Sequence, residues 1–191
     1  MSDPSSRFIK KWYPVGLALI GVGASLAVYP RLPERVATHF DIDGNPNGWM
    51  PRAIGSFFAP VFLLVLAGVM RTAARIDPRQ PNHAGSSDAY ETIVAAVLLL
   101  VLATHGIVLA LALGYRVPVT RAVPALVGVL FIVIGSVLPR VRPNWWFGFR
   151  TPWTLSNDRV SARTHRLAAV SMTGAGIVMI AAALLLPARL G

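Results

Sequence analysis

Five apolar runs, near residues 12–29, 53–70, 92–113, 122–139 and 167–187, divide the chain, and the stretches between them are short and polar. The hydrocarbon core of a bilayer, about 30 Å thick, needs about 20 residues at 1.5 Å rise each, a length that every run approaches or exceeds. Hydrocarbon offers backbone amides no partner, so such a run closes its own hydrogen bonds as a helix, and all five are too long for barrel strands. The pattern predicts an all-α polytopic bundle of about five membrane-spanning helices. Pro60 and Pro124 fall inside predicted helices, where each removes a backbone donor and bends the helix; Pro14 reads as lying near a helix start, where a proline is cheap. Small residues four apart, Gly21 with Ser25 and Ser171 with Ala175, predict close approach between helices and leave a homo-oligomer open. The turn-rich stretch from Asp77 to Asp88 reads as a connector. Three parts follow: a two-helix unit over 1–75 with a loop at 30–52, a connector at 76–91, and a carboxy-terminal unit over 92–191 with a loop at 140–166.

Composition agrees, since a chain that is 54% hydrophobic and 14% charged cannot hide that surface inside a soluble domain of 191 residues. Its net charge of +10 would suggest nucleic acid in a soluble protein. Here the cations collect at helix ends, which points to membrane topology and to no direct nucleic-acid contact. Assigning alternate loops to opposite sides sets Arg7, Lys10, Lys11, Arg71, Arg75, Arg79, Arg140, Arg142, Arg150, Arg159, Arg163 and Arg166 against Arg31, Arg35, Arg52, Arg116, Arg121 and Arg189. The positive-inside rule makes the larger set cytoplasmic, with the amino terminus inside and the carboxyl terminus outside. The first run also resembles a secretory signal ending at Ser25-Leu-Ala27, but it is too long for one, and Trp12, Tyr13 and Tyr29 bracket it as interfacial anchors. Absence of cysteine excludes disulfides, thiol nucleophiles and thiolate metal sites.

Two polar islands carry whatever chemistry there is. The first, His39 to Trp49, leaves the membrane through Pro30 and Pro33 and holds the turn pairs Asp43-Gly44 and Asn47-Gly48, so it reads as a tightly folded outer loop. From Asp43 it opens like a calcium loop, yet the twelfth position is Ile54 where a bidentate Glu is needed, which favours an Asx-rich turn. Zinc on His39 and Asp41 lacks sufficient ligands nearby. No metal or other cofactor is expected.

The second island, Asn144 to Leu155, sets Trp145, Trp146, Phe147, Phe149 and Trp153 beside Arg140, Arg142 and Arg150. Gly148 between two Phe residues predicts a sharp reversal that aims the Arg150 guanidinium and the hydroxyls of Thr151 and Thr154 at a fixed partner. Thr154, Ser156 or Asn157 is placed to cap a helix that carries Asp158 in its first turn and runs into the last span, with Arg159, Arg163 and Arg166 as a basic stripe. Physics alone leaves two readings open: a belt of rings and arginines at headgroup depth, or a protein-docking site.

Both islands resemble the bacterial SdpI family of membrane proteins. Leu32-Pro-Glu-Arg-Val-Ala-Thr-His-Phe-Asp-Ile-Asp-Gly-Asn-Pro-Asn-Gly-Trp49 is similar to the domain of unknown function at that family's amino terminus; Arg142 to Asn157, followed by Thr164-His165-Arg166, resembles its carboxy-terminal signature. The resemblance implies an immunity and signal-transduction protein of the bacterial cell membrane, conferring toxin resistance. Its partners would be a secreted toxin peptide outside and a small transcriptional repressor inside. On that analogy His39, Asp41, Gly44 and Trp49 form a ligand-sensing loop, while Asn144, Trp146, Gly148, Arg150, Thr151, Thr154 and His165 shape a docking loop. The chain departs from the family at Ser161, where an aromatic is usual, and at Ser136, where an Asn usually follows the Gly at 135; many members also carry a further span.

Two other classes compete with this reading. An intramembrane enzyme lacks support, because His-Glu-x-x-His and Gly-x-Ser-x-Gly are absent and the topology places His39 and His165 on opposite sides of the bilayer. A small-molecule or proton-linked transporter rests on His105 in the third span and Glu91 at its edge. With Thr104 adjacent and no carboxylate in mid-membrane, His105 reads as a packing histidine bonded to a neighbouring helix.

Overall fold

The computed structural model describes residues 4–76, 86–142, 144 and 148–185. Among these residues, five helices are long and apolar enough to cross a membrane, as the hydropathy pattern requires. They are α1 (Pro4–Val28), extended by a 3-10 turn at Tyr29–Arg31; α2 (Arg52–Arg75); α3 (Ser87–Ala112); α4 (Val119–Val137), extended by a 3-10 turn at Leu138–Arg140; and, after the short α5 (Pro152–Ser156), α6 (Asp158–Leu185). A two-stranded antiparallel hairpin, β1 (Arg35–Phe40) and β2 (Pro46–Pro51), joins α1 to α2. The third helix starts at Ser87 rather than near 92, so it takes in part of the stretch read as connector; residues 77–85 lie outside the described residues. With apolar helices of this number and length, the chain is a multi-pass membrane protein.

Two cores hold the bundle. Ala18 of α1, Leu63 and Ala67 of α2, and Tyr90, Val94 and Leu98 of α3 make one; Ala89 of α3, Val137 and Leu138 at the end of α4, Val141, and Ala168 and Ala169 of α6 make the other. The third helix therefore packs into both. Between α4 and α6 the backbones nearly touch: a Cβ added at Gly128 would lie 2.8 Å from the Gly176 carbonyl oxygen, and one at Gly135 would collide with Thr173 Oγ1. Hydrocarbon supplies no hydrophobic force between helices, so close van der Waals contact of this kind is what joins them. The small pair expected from spacing, Ser171 with Ala175, does not serve this contact; both residues face outward, and Ala169, Thr173 and Gly176 meet α4 instead. Two overlapping small-residue patterns run along α6, and spacing alone does not choose between them.

Prolines place the polar links between helices. A proline at position i leaves the carbonyl at i−4 without its helical donor. Pro60 in α2 releases the Ser56 carbonyl, and Ser25 Oγ from α1 donates to it at 2.5 Å. His105 Nε2 of α3 lies 2.9 Å from the same Oγ; since that hydroxyl proton goes to a carbonyl, the imidazole donates and the serine accepts. Three helices thus meet on one buried serine, with Gly21 giving room for the Pro60 ring, 3.0 Å from where a Cβ would stand. Pro14 repeats the device. It lies well inside α1 rather than near its start, because the helix already begins at Pro4. The Lys10 carbonyl it releases is taken by Arg71 Nη2 of α2, whose Nη1 donates to the Lys11 carbonyl at 2.8 Å.

Candidate functional site

Two polar structures sit at opposite ends of the bundle. At one end the hairpin rests across the starts of α2 and α4. Its register pairs Arg35 with Pro51, Val36 with Met50 and Ala37 with Trp49, then slips near Thr38. Val36 is fully buried above Gly55, whose missing Cβ lets strand and helix close up. Arg52 N donates to the Glu34 carbonyl at 2.8 Å and its guanidinium stacks over the Tyr29 ring at 5.0 Å, fixing the hairpin's base.

The tip is an Asx turn, as the sequence suggested. Asp41 Oδ1 accepts from the amides of Asp43 at 3.0 Å and Asn45 at 2.8 Å, and Gly44 takes a φ of +79° that a side chain resists. Gly44 leans on α4, so the turn is fixed to the bundle; a Cβ there would stand 3.1 Å from Thr120. Asn45 Nδ2 points back to Asp41 and the Asn47 side chain bonds the His39 ring, so the oxygens of a calcium loop do not converge. Among the described residues no group of three or more His, Asp or Glu could hold a metal. Of the four predicted sensing residues, then, Asp41 and Gly44 shape the loop, whereas His39 and Trp49 stand exposed, as does Ile42 at 91% exposure. A groove of about 410 Å³ runs between His39–Ile42 and the first turns of α4, walled by Val119, Val123 and Pro124.

At the other end, the described residues 141, 142, 144 and 148–157 form a hook. Ser86, which precedes α3, accepts from Arg142 N at 2.9 Å through its buried hydroxyl, and buried Asn144 donates to the Arg142 carbonyl at 2.9 Å. Gly148 reverses the chain with a φ of +88° and passes so close to His165 that a Cβ would lie 2.7 Å from its Nε2. The next amide, Phe149 N, donates to that Nε2 at 3.1 Å, so the ring is neutral and carries its proton on Nδ1. Thr151 and Thr154 then cap α5 reciprocally: Thr154 N donates to Thr151 Oγ1 at 3.3 Å and Thr151 N to Thr154 Oγ1 at 2.8 Å, while Thr154 Oγ1 donates to the Phe149 carbonyl at 2.9 Å. Asn157 caps α6, its Oδ1 accepting from Arg159 N at 3.0 Å and Val160 N at 3.2 Å, and Asp158 follows at the positive end of the helix dipole.

The hydroxyls that sequence aimed at a partner are therefore turned inward. Asn144, Thr154 and His165 are buried and hold the hook's shape, while Phe149, Arg150 and Trp153 present its outer face, with Trp153 62% exposed. Trp146 lies outside the described residues. The exposed Arg159, Arg163 and Arg166 continue that face along α6. Ser86 was missed, because nothing in its local sequence marks a contact reached across the connector; Ser25 and Ser56 had a legible sign in Pro60, four residues after Ser56. At Ser161 the side chain is fully buried one turn before His165, so the departure from the family pattern alters packing beneath the hook and leaves its outer face alone. Ser136 faces outward and bonds its own helix at the Val133 carbonyl, 2.7 Å away.

Comparison with known proteins follows the same division. Residues 16–64, which include the whole hairpin, match the domain of unknown function DUF1648, and residues 140–190, which include the hook, match the SdpI/YfhL protein family. Immunity protein SdpI of Bacillus subtilis (strain 168) is 28% identical over 158 residues, an alignment covering 81% of this chain and 72% of that protein. No solved structure matches. With one motif matched at each end of a single bundle and a relative aligned across most of its length, the chain is similar to the SdpI/YfhL protein family.

Proposed function

We propose that this chain is an immunity-type membrane protein that receives a peptide toxin on the hairpin and passes the event to a cytoplasmic regulator at the hook. The observation that carries the proposal is the pairing of two rigid, exposed motifs at opposite ends of one helical bundle, in a chain aligned with an immunity protein over 81% of its length. The hairpin offers what an apolar or amphipathic peptide needs: exposed Ile42 and Trp49, the His39 edge and the groove against α4. The hook offers Phe149, Arg150 and Trp153 beside a basic stripe, a surface suited to an acidic protein face. The excess of Lys and Arg in the loop set that includes the hook supports a cytoplasmic hook and an outer hairpin.

Such a role needs no catalysis. The transporter reading rested on His105, and that residue's contact with Ser25 supports a structural pin between helices. The test is protection: expression of the chain in a strain sensitive to a secreted peptide toxin is expected to restore growth, and Trp49→Ala together with Ile42→Ser is expected to abolish protection at unchanged membrane abundance. Absence of protection against every toxin of this class would sink the immunity role. Retention of a cytoplasmic partner by Arg150→Ala would sink the docking role separately.

A further inference from the structure

We propose that the junction of α1, α2 and α3 at the hook end is a binding site for the phosphate of an anionic phospholipid headgroup. A cavity of about 390 Å³ opens there, a size that suits a headgroup. Lys10, Lys11, Arg71 and Arg75 line it, with Glu91 as its carboxylate. Counting Asp88, which pairs with Lys10 at 2.7 Å on the outer rim, the four cations still face two carboxylates.

The central cation is built in. Arg71 donates to the carbonyls of Lys10 and Lys11, stacks over the Tyr13 ring at 5.4 Å and stands 3.9 Å from Glu91, which in turn accepts from Tyr13 Oη at 3.3 Å. Its fork is thereby held in one orientation without a ligand, so little side-chain freedom remains to be lost on binding. Lys11 lines the cavity from α1, its ammonium 5.2 Å from the Trp12 ring centroid. Half-exposed Trp12 and exposed Phe8 mark the same level of α1 as the headgroup layer, where aromatic rings settle. Buried Tyr90 and the Ala74 methyl form an apolar back wall. Cations arranged at this depth fit a phosphodiester whose acyl chains stay in the bilayer. The site is independent of toxin sensing and of the hook.

Free phosphate shares the recognised chemistry, so the experiment separates the two. Native mass spectrometry and thermal unfolding of the intact protein in neutral detergent would compare phosphatidylglycerol, phosphatidylcholine of the same chains, and inorganic phosphate. Phosphatidylglycerol is expected to bind and to raise the melting temperature, phosphatidylcholine and phosphate to do neither. Lys11→Gln with Arg75→Gln is expected to weaken phosphatidylglycerol about thirtyfold, as loss of two cations near an anionic headgroup implies. Arg31→Gln with Arg35→Gln removes equal charge from the opposite end and is expected to change nothing. Arg71→Gln also breaks the link to α1, so the Lys11 and Arg75 pair decides the matter. Equal binding of both lipids, an unweakened double variant, or displacement by inorganic phosphate at millimolar concentration would each overturn the assignment.

Discussion

Ser25 shows how one small side chain decides the fit of three helices. Its hydroxyl proton serves the carbonyl that Pro60 strips of a partner, and its lone pair takes His105 Nε2, so neither that carbonyl nor that ring nitrogen is left to hydrocarbon. Ser25→Ala is expected to cost about 1–2 kcal/mol, the range of hydrogen bonds between membrane helices. In a Pro60→Ala background the same substitution should cost less, because the new amide returns a donor to the Ser56 carbonyl; a double-mutant cycle in mild denaturant measures the difference. Equal losses in both backgrounds would mean that the released carbonyl is not what Ser25 serves. Gly148 is the corresponding residue of the hook. Gly148→Ala forces a methyl into a positive φ and against His165, a loss of about 1–3 kcal/mol, seen as faster proteolysis within 140–157 while the helical circular dichroism is kept.

Among the elements, the pair α4 and α6 is joined most tightly and the hairpin is held most locally. Gly135→Val is expected to separate the pair, since even a Cβ collides with Thr173 Oγ1 and lies 2.8 Å from the Ala169 carbonyl; the loss should exceed about 2 kcal/mol and carry the hook with it, because His165 rides on α6. A variant that unfolds at the parental temperature would show that the glycine contact contributes nothing. The hairpin does not depend on this pair in the same way. Its Asx turn is closed by Asp41, within the segment that links α1 to α2, and its base by Arg52, the first residue of α2.

For the whole molecule, the decisive property is that the bundle holds its two motifs at opposite ends. The native chain lacks cysteine, so Asn45→Cys and Arg150→Cys each introduce a single label site. An impermeant maleimide added to whole cells is expected to reach the first and not the second, with the reverse in inverted vesicles; labelling of both from one side would refute the topology. Spans, helix type and the location of both islands were legible in the chain, because lipid leaves a long apolar run one way to satisfy its backbone and the polar residues excluded from it must gather at the ends. The Asx turn and a cap drawn from Thr154, Ser156 or Asn157 were legible for a related reason, each being a bond between residues a few positions apart; the structure chooses Asn157. Tertiary structure alone decided which small residues of α6 meet α4, that the hook's threonines turn inward, and that Ser86 anchors a loop more than fifty residues away. Those contacts join distant stretches of chain, and their residue types are equally at home facing lipid, water or a neighbouring helix; only the packed arrangement of helices selects one partner from that set.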